Sequence, residues 1–212
     1  MTTPSVLLLG LAVLSAIAAI AADLRGRVTM ARIFRPAAMI AIIVLASVRP
    51  PTSPESYRMF ILAGLAASFV GDIFMMLRNK RFTAGLIAFL AAQILYVSAF
   101  LRTMTARIEI SIALPLLIYA LFMMRTLFPH LGPLKAPVAL YILVITVMAG
   151  LAAHRYIEAG GTPALFAFLG AIFFVISDTI LAINRFVRKV RSAQLFILGT
   201  YFAAQIFFAL SV

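Results

Sequence analysis

Apolar residues run in blocks along this chain, and polar residues gather in the gaps between them. Eight blocks stand out, at residues 6–22, 33–48, 57–77, 82–101, 108–124, 136–153, 162–183 and 193–212. Each is close to the ~20 residues an α-helix needs to cross a bilayer core. The blocks are continuously apolar rather than alternating, which predicts helices and not the strands of a barrel. Pro50-Pro51 with Ser53-Pro54, Pro129 with Gly132-Pro133, and Gly160-Gly161 mark loops. The first block ends in Ala21-Ala22, which mimics a signal-peptide cleavage site, but no basic residue precedes it, so it is read as a first span. Span two opens on Arg35-Pro36, and span five carries Glu109 near its start. The expected fold class is all-α: a polytopic membrane bundle of eight transmembrane helices forming one domain over 1–212.

The polar punctuation repeats. Asp72 lies inside span three and Asp178 inside span seven. Ala91-Ala92-Gln93-Ile94 in span four recurs as Ala203-Ala204-Gln205-Ile206 in span eight, and Lys135-Ala136-Pro137 opens span six much as Arg35-Pro36 opens span two. Halves of about 1–104 and 105–212 are therefore expected to be parallel four-helix repeats, because each holds an even number of spans.

Composition agrees with the pattern. Hydrophobic residues make up 65% of the 212 and charged residues 11%, against roughly a quarter charged in soluble domains. The net charge of +12 does not point to nucleic acid, because the basic residues are scattered through short loops rather than gathered in one segment. They set orientation and meet lipid headgroups instead. Of the 18 Lys and Arg, 13 fall after spans one, three, five and seven: Arg25, Arg27, Arg32 and Arg35; Arg78, Lys80 and Arg81; Arg125 and Lys135; Arg185, Arg188, Lys189 and Arg191. The positive-inside rule then puts both termini on the non-cytoplasmic face. There is no cysteine, which excludes disulfides and thiolate chemistry. His130 and His154 are expected in solvated loops on opposite sides, so no metal and no cofactor is expected.

Only six residues are acidic, and an acid at the bilayer centre costs about 2.5–3.5 kcal/mol on insertion scales. Asp72 precedes Arg78 by six residues and Asp178 precedes Arg185 by seven, so each sits roughly 9–10 Å inside the same end of its helix. Two carboxyls at one depth suit a shared cavity, where one protonated and one ionised group form an acid–base pair. Pairing with Arg35 or Lys135 is the structural alternative. Gln93 with Tyr96, and Tyr201 with Gln205, share helix faces and are expected in the interior. Asn79 and Asn184 are expected at the interface. Ser177 lacks the surroundings of a nucleophile.

Arg35-Pro36, Gly71-Asp72, Gln93 with Tyr96, Ser177-Asp178 followed by Asn184-Arg185-Phe186, and Tyr201 with Gln205 together resemble the YhhN family of membrane proteins, whose characterised animal members are lysoplasmalogenases. The chain departs from that family at Arg35, where Lys is usual, and at Gln93, where His is frequent. The resemblance implies a membrane-embedded hydrolase that cleaves the vinyl ether bond of lysophospholipids, in a bacterial inner (plasma) membrane. Asp72 and Asp178 would be catalytic. Arg35, Gln93, Tyr96, Asn184, Tyr201 and Gln205 would bind the lysophospholipid, with Arg35 at the cavity mouth on its phosphate. The residues alone leave two other classes open: a small proton-coupled transporter, and a lipid-binding membrane protein without catalysis.

Overall fold

Inside hydrocarbon every backbone N–H and C=O must be satisfied within the protein, and all eight apolar runs meet that demand as helices. The computed structural model describes residues 3–50, 52–77, 81–104 and 110–212. Pro51, Arg78, Asn79, Lys80 and Glu109, which figured in the sequence reading, lie outside the described residues. The helices are α1 (Thr3–Leu24), α2 (Val28–Val48), α3 (Glu55–Met76), α4 (Phe82–Leu101), α5 (Ile110–Leu127), α6 (Lys135–Ala159), α7 (Gly161–Ala182) and α8 (Ala193–Leu210). No strand occurs among the described residues, and every helix is long and apolar enough to span a membrane.

Chain neighbours pair: α1 with α2, α3 with α4, and α7 with α8. α6 lies against α4 and α7, while α8 reaches back to α1, α2 and α3 and closes the bundle. α5 is outermost, packed chiefly on α6, with Leu117, Ile118, Leu121 and Phe122 more than half exposed. Association in lipid depends on close packing, which small residues permit. A Cβ on Gly64 of α3 would collide with the Tyr96 ring of α4, and one on Gly170 of α7 would meet Phe208 Cδ1 of α8 at 2.7 Å.

Two boundaries differ from the hydropathy reading. α2 begins at Val28, so Pro36 lies inside it rather than opening it. Arg35, expected at the interface where span two opens, is buried instead, because acidic partners await it in the bundle. α6 extends to Ala159 and carries His154 with it. His154 is therefore not a solvated loop residue. It is 3% exposed, with Nε2 3.5 Å from Glu158 one turn on. His130 is exposed, as expected.

The two ends of the bundle differ in character. At the α2–α3 and α6–α7 end, Tyr57 and Ser211 hydroxyls are 2.7 Å apart, Arg155 lies 4.1 Å over the Tyr57 ring and donates to Ser53, and Arg49 donates to the Leu210 carbonyl. These contacts tie that end shut. The opposite end, carrying the basic loops, is open.

Candidate active site

A cavity of about 220 Å³ opens at the basic-loop end, between α2, α3, α4, α7 and α8. Asp72 and Asp178 both line it, together with Arg35, Ser177, Asn184 and Tyr201. Phe82 and Phe89 of α4 supply apolar wall, the Phe89 ring standing edge-on to Tyr201 at 5.8 Å. Arg185, Lys189 and Gln194 also line it, and the first two are solvent-exposed, which marks the mouth.

The two carboxyls have unlike neighbours. Asp72 is 4% exposed, and its Oδ1 lies 3.8 Å from Arg35 Nη1. Its Oδ2 is buried with no hydrogen-bond partner among the described residues. Arg35 is shared, because its Nη2 also donates to Asp23 Oδ1 at 2.7 Å. A buried ion pair of this kind holds only if both charges stay matched. Asp178 is half-buried and receives neutral donors: Tyr141 Oη at 2.5 Å and Gln93 Nε2 at 3.3 Å, both on Oδ2. No cation forms a salt bridge with it among the described residues, and Lys135, the alternative partner considered from sequence, is exposed.

Local structure aims these groups. Ser177 donates to the Ile197 carbonyl at 3.0 Å, fastening α7 to α8 beside Asp178; its hydroxyl is structural. After α7 the helix widens into a π turn, Ile183–Val187, a feature that often accompanies functional sites. Within it Asn184 Oδ1 accepts the Val190 N–H at 3.0 Å, and this bond bends the basic loop round the mouth. Arg185 is steadied 4.8 Å over the Phe82 ring.

Several expectations change. Arg35 is not at the mouth: its guanidinium is drawn inward by two carboxylates, and Arg185 and Lys189 are the cations at the opening. Gln93, Tyr96 and Gln205 do not line the cavity. Gln93 braces Asp178 from behind, while Tyr96 donates to Gln205 Oε1 at 2.8 Å in a buried contact between α4 and α8. Tyr201 does line it, anchored by a hydrogen bond to the Ser68 carbonyl at 3.2 Å.

Tyr141 and Asp23 escaped the sequence reading. Tyr141 carried a signal, since a phenol inside a span needs a hydrogen-bond partner. Asp23 carried none; its role depends on α2 folding back along α1.

Fold and cavity together define a polytopic helical membrane protein with an intramembrane pair of carboxyl groups. The YhhN family matches residues 30–212, and the chain belongs to that family. The uncharacterized membrane protein YhhN of Escherichia coli O157:H7 is 28% identical over 190 residues, covering 90% of each chain. Lysoplasmalogenase TMEM86A of Bos taurus is 34% identical over 174 residues, 76% of this chain and 67% of the relative. Lysoplasmalogenase TMEM86B of Homo sapiens is 30% identical over 174 residues, 81% of this chain and 72% of the relative. No solved structure gives a significant match.

Proposed function

We propose that this protein is a membrane-embedded hydrolase that cleaves the vinyl ether bond of a lysoplasmalogen-type lysophospholipid, giving a fatty aldehyde and a glycerophospho-alcohol. Family membership and the relatives named lysoplasmalogenase support the reaction class. The observation that carries the mechanism is the pair of carboxyls on one cavity, one beside a guanidinium and one held only by neutral donors.

We assign the ionised form to Asp72, beside the Arg35 guanidinium, and the proton to Asp178, which forms no salt bridge among the described residues. Asp178 delivers its proton to the β-carbon of the vinyl ether, and the ether oxygen's lone pair forms the oxocarbenium ion. Asp72 faces that cation with its negative charge and accepts a proton as water adds to the former vinyl carbon bonded to oxygen. The hemiacetal then collapses. Its hydroxyl proton returns to Asp178, the glycerol oxygen leaves with the proton held by Asp72, and both groups are restored. Glycosidases handle a similar cation with two carboxyls. Arg35 keeps Asp72 charged, Tyr141 and Gln93 stabilise the Asp178 carboxylate formed in the first step, and Asn184 and Tyr201 shape the walls.

The membrane is the plasma membrane, with both termini non-cytoplasmic, so the cavity mouth faces the cytoplasm beside the basic loops. A C-terminal reporter that reads cytoplasmic rejects this orientation. For the reaction, purified protein is incubated with a lysoplasmalogen and fatty aldehyde is measured. Aldehyde is expected from the vinyl ether and none from the saturated alkyl-ether analogue, which has no β-carbon to protonate. No aldehyde from the wild type, or undiminished release from folded Asp72→Asn or Asp178→Asn, rejects the hydrolase reading.

A further inference from the structure

A second, narrower space of about 40 Å³ adjoins the polar cavity, between α4, α5, α6 and α7. Leu86, Met123, Leu127, Val138 and Ile142 form much of its lining. Its few polar atoms are engaged with one another. The hydroxyls of Tyr119 and Thr179 lie 2.8 Å apart, and Tyr141 donates to Asp178. The crevice thus presents hydrocarbon, and a polar ligand placed there would lose its water without gaining partners.

The crevice is continuous with the cavity. Met75, Phe82, Phe89, Asp178 and Leu181 line both, and among the described residues Asp178 is the one ionisable group the two spaces share. On the polar side the exposed cations that line the cavity are Arg185 and Lys189, while Arg35 is buried beside Asp23 and Asp72. A ligand that fits both spaces at once has one slender apolar tail, a short polar neck and an anionic head. The narrow crevice suits a single chain, and a lipid with two chains would have to leave one behind.

We infer that this crevice is the binding site for the single hydrocarbon chain of a lysophospholipid, with the phosphate at Arg185 and Lys189 and the bond between chain and glycerol beside Asp178. The chemistry at that bond rests on the hydrolase reading; the binding of the chain does not. The β-carbon of a vinyl ether lies on the chain side of the ether oxygen. A chain in the crevice therefore brings that carbon to Asp178 and leaves the oxygen toward the polar cavity and Asp72, which agrees with Asp178 as the acid. Met123, Leu127, Val138 and Ile142 then set the chain length accepted. α5, the outermost helix, separates the crevice from the bilayer, so the chain enters from the lipid along its edge.

The test uses the full chain in lipid nanodiscs and a saturated alkyl-ether lysophosphatidylcholine with a diazirine at the chain end. After photolysis, labelled peptides are mapped by mass spectrometry. Labels are expected on Met123, Leu127, Val138 or Ile142, competed by unlabelled long-chain lysolipid. They should fall at least several-fold in Ile142→Trp and in Arg185→Gln/Lys189→Gln. Val138→Phe, a milder filling, should lower the preference for an eighteen-carbon over a twelve-carbon alkenyl chain by about tenfold, the scale of a filled apolar pocket. Labels confined to the bilayer-facing residues Leu117, Ile118 and Leu121, or crevice labels that survive both fillings, overturn the inference. Crevice labelling without aldehyde release sustains the chain site and sinks the hydrolase reading. Aldehyde release with labels only elsewhere does the reverse.

Discussion

The α3–α4 and α7–α8 hairpins use the same packing device and end in different chemistry. Gly64 lies eight residues before Asp72, and Gly170 lies eight before Asp178. Each glycine takes an aromatic ring from the following helix, Tyr96 or Phe208, and these rings lie three residues after Gln93 and Gln205. This agreement supports the proposal of two parallel four-helix repeats. The surroundings of the acids do not agree. Arg35 of α2 turns inward to Asp72, whereas Lys135 of α6 is exposed and Tyr141 reaches Asp178 instead. Gln93 crosses from the first half to brace Asp178, while Gln205 is occupied by Tyr96 and gives Asp72 nothing in return. Matched positions along two helices place two carboxyls at one cavity. In the proposed reaction these mismatched neighbours assign the charge to Asp72 and the proton to Asp178.

The largest expected effect comes from removing either carboxyl. Asp72→Asn and Asp178→Asn should each lower aldehyde release by about 10²–10⁴-fold, the range for general acid–base groups, with folding retained because a neutral amide is easier to bury than a carboxylate. Added formate sharpens the contrast. An external anion can replace the charge and base at Asp72, but an anion cannot deliver the proton that Asp178 gives, so only Asp72→Asn should regain activity. Equal rescue of both variants would dissolve the distinction between them.

Next comes the cation. Arg35→Met leaves Asp72 and Asp23 without their counter-charge and should destabilise the protein by about 3–5 kcal/mol, as broken buried ion pairs do. Unfolding of the purified protein measures it. Adding Asp72→Asn to Arg35→Met should recover part of the loss, because the stranded charge is gone; no recovery means the two residues do not act as a pair.

Tyr141→Phe removes one donor to Asp178 and leaves the ring in place. Hydrogen bonds to charged groups contribute about 1.5–3 kcal/mol, so activity should fall at least about tenfold with stability little changed. The same substitution at Tyr96, which contacts neither carboxyl, should leave kcat within a few-fold. A larger loss at Tyr96 than at Tyr141 would show that the phenol beside Asp178 is not the one the reaction uses.

The smallest effect tests the packing the hairpins share. Gly64→Ala and Gly170→Ala should each cost about 1–3 kcal/mol, the usual range for overpacking, since each new methyl meets a ring at under 3 Å. A variant that tolerates the methyl at one site and unfolds at the other would show that the two contacts are not equivalent.

The sequence by itself determined how many helices there are, roughly where they lie and which acids stand inside them. Hydrocarbon leaves an apolar run of some twenty residues one stable form, and a carboxyl within such a run is conspicuous by its cost. It also placed Asp72 and Asp178 at one depth, because rise along a helix is nearly constant. It did not determine which way each helix faces. A membrane helix is apolar all round, so no hydrophobic stripe points to the interior. That is why Gln93 and Tyr96, which share a face of α4, end on different partners. It is also why Arg35, read as a headgroup contact, lies among acids. Only the tertiary structure decided that Asp23 returns to Arg35 across the α1–α2 turn, that Tyr141 and Gln93 converge on Asp178 from separate helices, and that a hydrocarbon crevice meets the polar cavity there. Each of these depends on contacts between residues far apart in the chain, whose geometry is set by how eight nearly featureless cylinders pack.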